Sequence, residues 1–314
     1  MPFVILIPSS KDDALTFAKL TETEVPVRIY SDGSGFKGGI GAAALLYLKD
    51  RLVQTLRYYL GTNKEHTVYE AESVGLAMGL HLPKGLNIKL THPMALGSDS
   101  QAVISALGNQ RSHPGQYILD NVIQLAEELH KKQDGLMNST ERAELLAEGN
   151  TWRGKTQGVT DLQVHWVPGH SEFAPNEKAD EEVKKVAQGS SSKAKSLPKF
   201  LRKCLPLSIS ALRQGHIGKL KKCWERRWKD SPRAKLLKSI DNTTLLKKYI
   251  KLIAGLDRRQ ASILFQLQTG HVGLNQHLFR IRKSKTPVCP NCKEHLVVVM
   301  VKHFVLGCPQ YRQE

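Results

Sequence analysis

"IYSDGSG" (residues 29–35) runs from an apolar, strand-like start straight into a carboxylate, a hydroxyl and two glycines. A buried strand gains nothing by ending on Asp32 unless that carboxylate serves something. A helix N-cap would explain it, but no helical pattern follows. Around it, "VPVRIYSD", "GGIGAAALLYL" and "RLVQTLRYYLG" are three apolar runs joined by short turns, which predicts an antiparallel meander. From Thr67 the period changes. "TVYEAESVGLAMGLHL" places Val68, Ala71, Val74 or Gly75 and Met78 on one helical face, with Pro83 as the expected stop.

A fourth strand, "MALGSDS", ends on Asp99 and leads into a helix at "SQAVISAL", followed by a longer amphipathic helix across "GQYILDNVIQLAEELHKK". The polar stretch 133–160 reads as an insertion with a short helix at "STERAELLAEG". A fifth strand, "DLQVHWVPG", precedes a charged helix, "NEKADEEVKKVAQ". The order β-β-β-α-β-α-α-β-α makes the fold class α/β.

With 314 residues and 40% hydrophobic content, the chain can bury a real core and form about two domains. Its net charge of +17 is unevenly spread. Residues 1–190 hold 19 Lys and Arg against 23 Asp and Glu, whereas residues 191–314 hold 27 against 6. A segment so basic suits a polyanion such as RNA or DNA, since each neutralised phosphate releases a counterion. Five cysteines, an odd number crowded toward the C-terminus, do not form a disulfide framework and point to a reducing compartment. No apolar run reaches the roughly 18 residues of a membrane span, and "MPFVILIPSS" lacks a basic start and a cleavage site. An intracellular protein of nucleus or cytoplasm, with no membrane partner, is expected.

"GSSSKAKSLP" (residues 189–198) is small, polar and proline-ended, the composition of a linker. The expected division is therefore an N-terminal extension (1–26), an α/β domain (27–189), a linker (190–199), a basic helical region (200–285) and a Cys/His segment (286–314). The basic region contains "ISALRQGHIGKLKKCWERRW" and "SPRAKLLKSI", both helical in pattern, and no internal repeat occurs. Cys204 and Cys223 lie in apolar helical patterns and read as core residues.

Four acids occupy suggestive places: Asp32 and Asp99 after apolar runs, Glu72 early in the helix after the meander, and Asp180 in "NEKAD". For Asp99 a helix N-cap is a sufficient alternative. Carboxylates converging at one sheet edge raise each other's pKa unless cations compensate, and hard, oxygen-seeking Mg²⁺ is the natural compensator. Two such ions clamp a phosphodiester, one activating the attacking water and one stabilising the leaving oxygen.

"YSDGS", "EAESVGLAMGL", "GSDSQAVISAL" and "WVPGHSEFAPNEKADEEVKKVA" resemble, in order and spacing, the four signature segments of ribonuclease H type 1. The resemblance covers about residues 27–189. It implies a mixed five-stranded sheet flanked by helices, and endonucleolytic cleavage of the RNA strand of an RNA–DNA hybrid with two Mg²⁺ ions, or Mn²⁺ in their place. It further implies that Asp32, Glu72, Asp99 and Asp180 are the catalytic, metal-holding set. Glu72 rather than Glu70 fits the family context, with Gly75, Gly79 and Leu80 following. The two acids lie about 200° apart on a helix, so only one can face the site, and Glu70 is expected on a solvated face. His170 matches the family's mobile-loop histidine, suited to proton transfer. Asn176 matches an asparagine that shapes the site, and Thr67 a threonine that holds a DNA-strand phosphate. The loop after His170 departs from the family's glycines, carrying Glu172 and Pro175.

Near the C-terminus, Cys289, Cys292, His303 and Cys308 give C-x2-C-x10-H-x4-C, a tetrahedral Zn²⁺ set of thiolates and imidazole, with His295 as a competing ligand. "RRQASILFQLQTGHVGLNQHLFRIRKSKTPVCPNC" is similar to the tail that follows the ribonuclease H domain in fungal Tad-like non-LTR retrotransposon polyproteins. That likeness, over about 200–314, implies an element-derived protein whose tail holds template RNA or target DNA, with a reverse transcriptase of the same element as partner. No Tyr-x-Asp-Asp polymerase motif occurs in the chain. The rival expectation is a catalytically decayed nucleic-acid-binding module acting through its basic, zinc-binding tail.

Overall fold

The computed structural model describes residues 1–90, 93–109, 111–140, 143, 161–169, 171, 173–232, 234, 247–295 and 297–311, without the side chains of 247, 293–295 and 311. Two compact units emerge, Met1–His216 and Ile217–Glu314.

The first unit is built on the meander. Strands β2 (Val27–Phe36), β3 (Gly39–Leu48) and β4 (Arg51–Thr62) pair antiparallel in sequence order. The β2–β3 turn holds Lys37 and Gly38 at φ 49° and 86°, the double positive φ that matches the twist of a two-residue hairpin. β3 is buried along most of its length because helices cover both faces, which explains its unbroken apolar run. On the other side of β2 the sheet turns parallel: β5 (Met94–Ser98) pairs with β2 and β6 (Leu162–Trp166) with β5.

The five expected strands are present, and a sixth joins them. The N-terminal residues expected as an extension form β1 (Val4–Leu6), parallel to β6, and helix α1 (Lys11–Glu24), giving the sheet order β1-β6-β5-β2-β3-β4. Three apolar residues are too short a run to show a period in sequence. They pair because β6 would otherwise be an open edge.

Helix α2 (Val68–Lys84) begins at Thr67, whose hydroxyl accepts the N–H of Glu70 while the Glu70 carboxylate accepts that of Thr67, a capping box. Pro83 does not stop the helix but sits in its last turn. Helices α3 (Gln101–Leu107) and α4 (Gln116–Leu136) follow, and α4 packs on α2 through Ile118, Leu119, Val122, Leu125, Ala126 and Leu129 at helical spacing. Helix α5 (Ala174–Val186) lies across β2, β3 and β4, burying Ala179, Val183 and Val186. An Arg57–Glu182 ion pair ties it to β4. The result is the expected α/β fold, a mixed sheet flanked by helices. The helix expected at 139–149 lies almost wholly outside the described residues.

The stretch expected as a linker is packed. The hydroxyls of Ser191 and Ser192 accept the N–H groups of Tyr59 (2.8 Å) and Arg57 (3.0 Å), and Ser192 N–H donates to the Arg57 carbonyl (2.9 Å). Leu197, Leu201 and Leu205 are buried in the main core. Small polar residues read alike in sequence whether their hydroxyls bind water or a strand edge. Cys204 is exposed and Cys223 only half-buried, so neither is the core residue expected from its local pattern.

Helix α6 (Ile209–Asp230) buries Ala211 alone among its residues. In the second unit follow α7 (Lys247–Ile253), α8 (Arg258–Thr269, opened by an Asp257–Gln260 capping box), α9 (Asn275–Arg280) and α10 (Val301–Leu306). Among the described residues the buried cluster there is small: Cys289, Val299 and Cys308, with Leu274 and Cys292 against it. So few apolar groups leave a metal as the natural staple.

Candidate active site

β2 does not end on Asp32. It continues to Phe36 against β3, with Asp32 opposite Ala43, whereas its parallel pairing with β5 stops one residue earlier, at Ser31 opposite Ser98. Asp32 therefore sits where β5 departs from the sheet, and Asp99 is the first residue beyond β5. The N-cap of α3 is Ser100, not Asp99, so the alternative role for Asp99 is already filled.

Glycines bring the third carboxylate in. A Cβ on Gly33 would lie 2.2 Å from the backbone nitrogen of Glu72, and one on Gly75 3.1 Å from the carbonyl oxygen of Asp32. α2 thus lies directly on β2 at the level of Asp32. Ser100 Oγ donates to the Glu72 carboxylate at 2.5 Å, fixing it toward the end of β5. Asp180 comes from α5, where Lys184 Nζ holds its carboxylate at 2.5 Å.

Asp32 feels the other three acids. Burial, reinforced by Asp99, Asp180 and Glu72, pushes Asp32 up to about 7, although the N–H of Gly33 donates to it. Burial also pushes Glu72 up to about 7, with Asp99 adding to the effect and the Ser100 hydroxyl opposing it. A fold that gathers carboxylates at this cost has a donor set of hard oxygens suited to divalent cations.

Glu70 is not on a solvated face. It is 3% exposed, closes the capping box and faces His66 at 3.6 Å. Burial raises its pKa, but hydrogen bonds from His66, the Thr67 N–H and Ser208 outweigh it and hold the carboxyl below its usual value. Thr67 is the N-cap of α2. Asn176 is buried in the first turn of α5, and its Oδ1 has no hydrogen-bond partner among the described residues.

His170 and Glu172 lie outside the described residues. The flanking loop is placed: a Cβ on Gly169 would come within 3.0 Å of an Asp99 carboxylate oxygen, and Trp166 Nε1 donates to the Asp99 carbonyl at 3.1 Å. Beyond it, Phe173 packs edge-on against Tyr30. Gly33, Ser100, Gly169 and Lys184 were not singled out from sequence. The spacing of small residues signalled only the α2 glycines.

In the second unit, the ligand atoms of Cys289, Cys292, His303 and Cys308 all lie within 4.8 Å of one another. The Cys308 sulfur is 3.9 Å from that of Cys289 and 4.0 Å from that of Cys292. A tetrahedral zinc with bonds of about 2.3 Å spaces its sulfurs about 3.8 Å apart, so this cluster fits a metal.

A model of the RNase H family matches residues 24–188. No curated protein matches the chain. Among solved structures, RNase H1 from the halophilic archaeon Halobacterium salinarum NRC-1 is 19% identical, with 52% of this chain and 98% of that one covered and a TM-score of 0.35. The N-terminal RNase H domain of rv2228c from Mycobacterium tuberculosis, solved as a fusion with maltose-binding protein, is 20% identical, covering 52% and 97% at a TM-score of 0.35. LC11-RNase H1 in complex with an RNA/DNA hybrid is 15% identical, covering 51% and 94% at 0.33. At these identities and scores the assignment rests on the family model, whose match takes in five of the six strands and all four carboxylates. The chain belongs to the RNase H family, and it is a ribonuclease H.

Proposed function

We propose that the protein cleaves the RNA strand of RNA–DNA hybrids endonucleolytically, with Asp32, Glu72, Asp99 and Asp180 holding two Mg²⁺ ions. The carrying observation is the pair of acids pushed up to about 7 among further carboxylates, an arrangement that divalent cations relieve. Once bound, the metals supply an activated water and stabilisation of the leaving oxygen. The chain's own part is placement. Asp32 and Asp99 fix one edge of the site from adjacent strands, Ser100 aims Glu72, and α5 carries Asp180. His170 is assigned proton transfer to the leaving oxygen. Thr67, with the N-terminal N–H groups of α2, is assigned a DNA-strand phosphate, and Asn176 the shaping of the site at His170.

Zn²⁺ is assigned to Cys289, Cys292, His303 and Cys308 as a structural ion, supported by the sulfur spacing. The basic tail is assigned template RNA or target DNA, supported by its charge. The Tad-like origin and a reverse transcriptase partner rest on the tail's sequence pattern alone, and a place in nucleus or cytoplasm is proposed from the cysteine usage.

A gel assay with a hybrid labelled on either strand tests the proposal. RNA-strand cleavage in Mg²⁺, abolished by chelation or by Asp32→Asn, is expected. Cleavage that survives Asp32→Asn, or strikes the DNA strand, overturns it.

A further inference from the structure

Residues 217–230 of α6 combine an open apolar arc with a surplus of cations. At about 100° per residue, Ile217, Leu220, Trp224 and Trp228 share an arc of about 80°, with Lys221 and Arg227 each about 20° beyond its borders. Lys219, Lys222, Arg226 and Lys229 take the far side, and only Glu225 and Asp230 are acidic. The apolar arc is open: Leu220 is 55% and Trp224 48% exposed. Its two indoles lie parallel, 6° apart in plane with centroids at 5.9 Å. The Trp224 ring is exposed and the Trp228 ring half-buried beside it, with cations alongside.

Lys221 and Arg227 at the margins keep their charges in water beside any docked face, and what favours a polyanion as the occupant is the surplus of cations around the helix, six against Glu225 and Asp230. A single nucleic-acid strand satisfies both properties. Its unpaired bases stack on aromatic rings and its phosphates take the cations, whereas a duplex keeps its base faces covered.

We infer that residues 217–230 of α6 form a platform for single-stranded nucleic acid, with bases stacked on Trp224 and Trp228 and phosphates running along Lys221 and Arg227. This rests on the proposed nucleic-acid role of the basic tail and gives it a strand state and named contacts.

Oligo(dT) DNA, which contains no RNA strand to cleave, is the probe. Binding to the full-length protein is followed by fluorescence anisotropy across a salt series, with helicity checked by circular dichroism. Trp224→Leu with Trp228→Leu should weaken binding at least about 10-fold and leave the salt slope intact, while the paired Phe replacements restore most of the affinity. Lys221→Gln with Arg227→Gln should instead flatten the slope by about 1.4, at about 0.7 per phosphate on a single strand. Unchanged affinity in the paired Leu variant overturns the stacking platform and leaves the general role of the tail standing; no oligo(dT) binding by the wild type overturns both. Self-association lost in the paired Leu variant without a change in oligo(dT) affinity overturns it in favour of a second copy of the chain. The hybrid assay of the catalytic proposal is read independently, so either result can fail alone.

Discussion

Asp32 is the residue at which stability and catalysis oppose each other. Its carboxyl ordinarily titrates near 3.8 and is raised to about 7 in the fold. Below pH 4 both folded and unfolded chains hold the proton and nothing is lost. As pH rises toward 7 the unfolded chain releases it and the folded chain does not, so metal-free stability falls, by up to about 4 kcal/mol at about 1.36 kcal/mol per pH unit. In chelator, the denaturation midpoint of the wild type should therefore drop between pH 4 and 7, and Asp32→Asn should remove about half of that slope, because Glu72, also raised to about 7, carries the rest. Mg²⁺ should restore wild-type stability at pH 7 and do little for the variant. A flat wild-type profile in chelator contradicts this electrostatic picture. Glu70 and Glu72, two positions apart, should separate in the opposite way. Glu72→Gln should eliminate cleavage with little loss of stability. Glu70→Gln should retain cleavage chemistry but lose about 1–2 kcal/mol, because it weakens the capping box and the contact with His66. Urea titrations and hybrid cleavage on both variants decide the matter, and equal losses of activity would contradict the assignment.

Among the elements, α2 depends on what β2 lacks. Gly33→Ala would thrust a methyl group against the Glu72 backbone, so α2 must move. An overpacking cost on the order of 1–3 kcal/mol is expected, together with lost cleavage as Glu72 leaves its place. A variant as stable and active as the wild type would show that the helix can yield without moving the site. Elements of this kind were partly legible in the sequence. The meander, α2 and the last helix declare themselves by period, and Asp32 stood out because an acid follows an apolar run with no helix to cap. Glu70 did not, although Thr67 and His66 lie only three and four residues before it: the local pattern shows a helix cap, whereas its burial depends on packing, with Ser208 brought to it from far along the chain. β1 was hidden for a related reason: three residues carry no period, and the neighbour that makes them a strand lies more than 150 positions away, at Gln163–His165. The Ser191–Ser192 strap was hidden because its composition is that of a loop.

For the whole molecule, the boundary that matters to an experimenter lies beyond the apparent linker. A chain ending at His216 keeps Leu197, Leu201 and Leu205 in the core, and should fold and cleave hybrid with a gentler salt dependence than the full chain. One ending at Gly189 should melt several degrees lower, having lost those side chains. Thermal scans of both settle whether the segment is packing or tether. β1 has a further consequence. It and the Ser191–Ser192 strap occupy opposite borders of the sheet, so that β6 is covered and β4 is engaged at Arg57 and Tyr59. Removing residues 1–10 would bare the β6 edge at Gln163–His165, a ready template for intermolecular strand addition. Such a trimmed protein should accumulate as oligomers or inclusion bodies, visible by light scattering, even with every catalytic carboxylate in place. On this view the opening residues act as a built-in guard against aggregation.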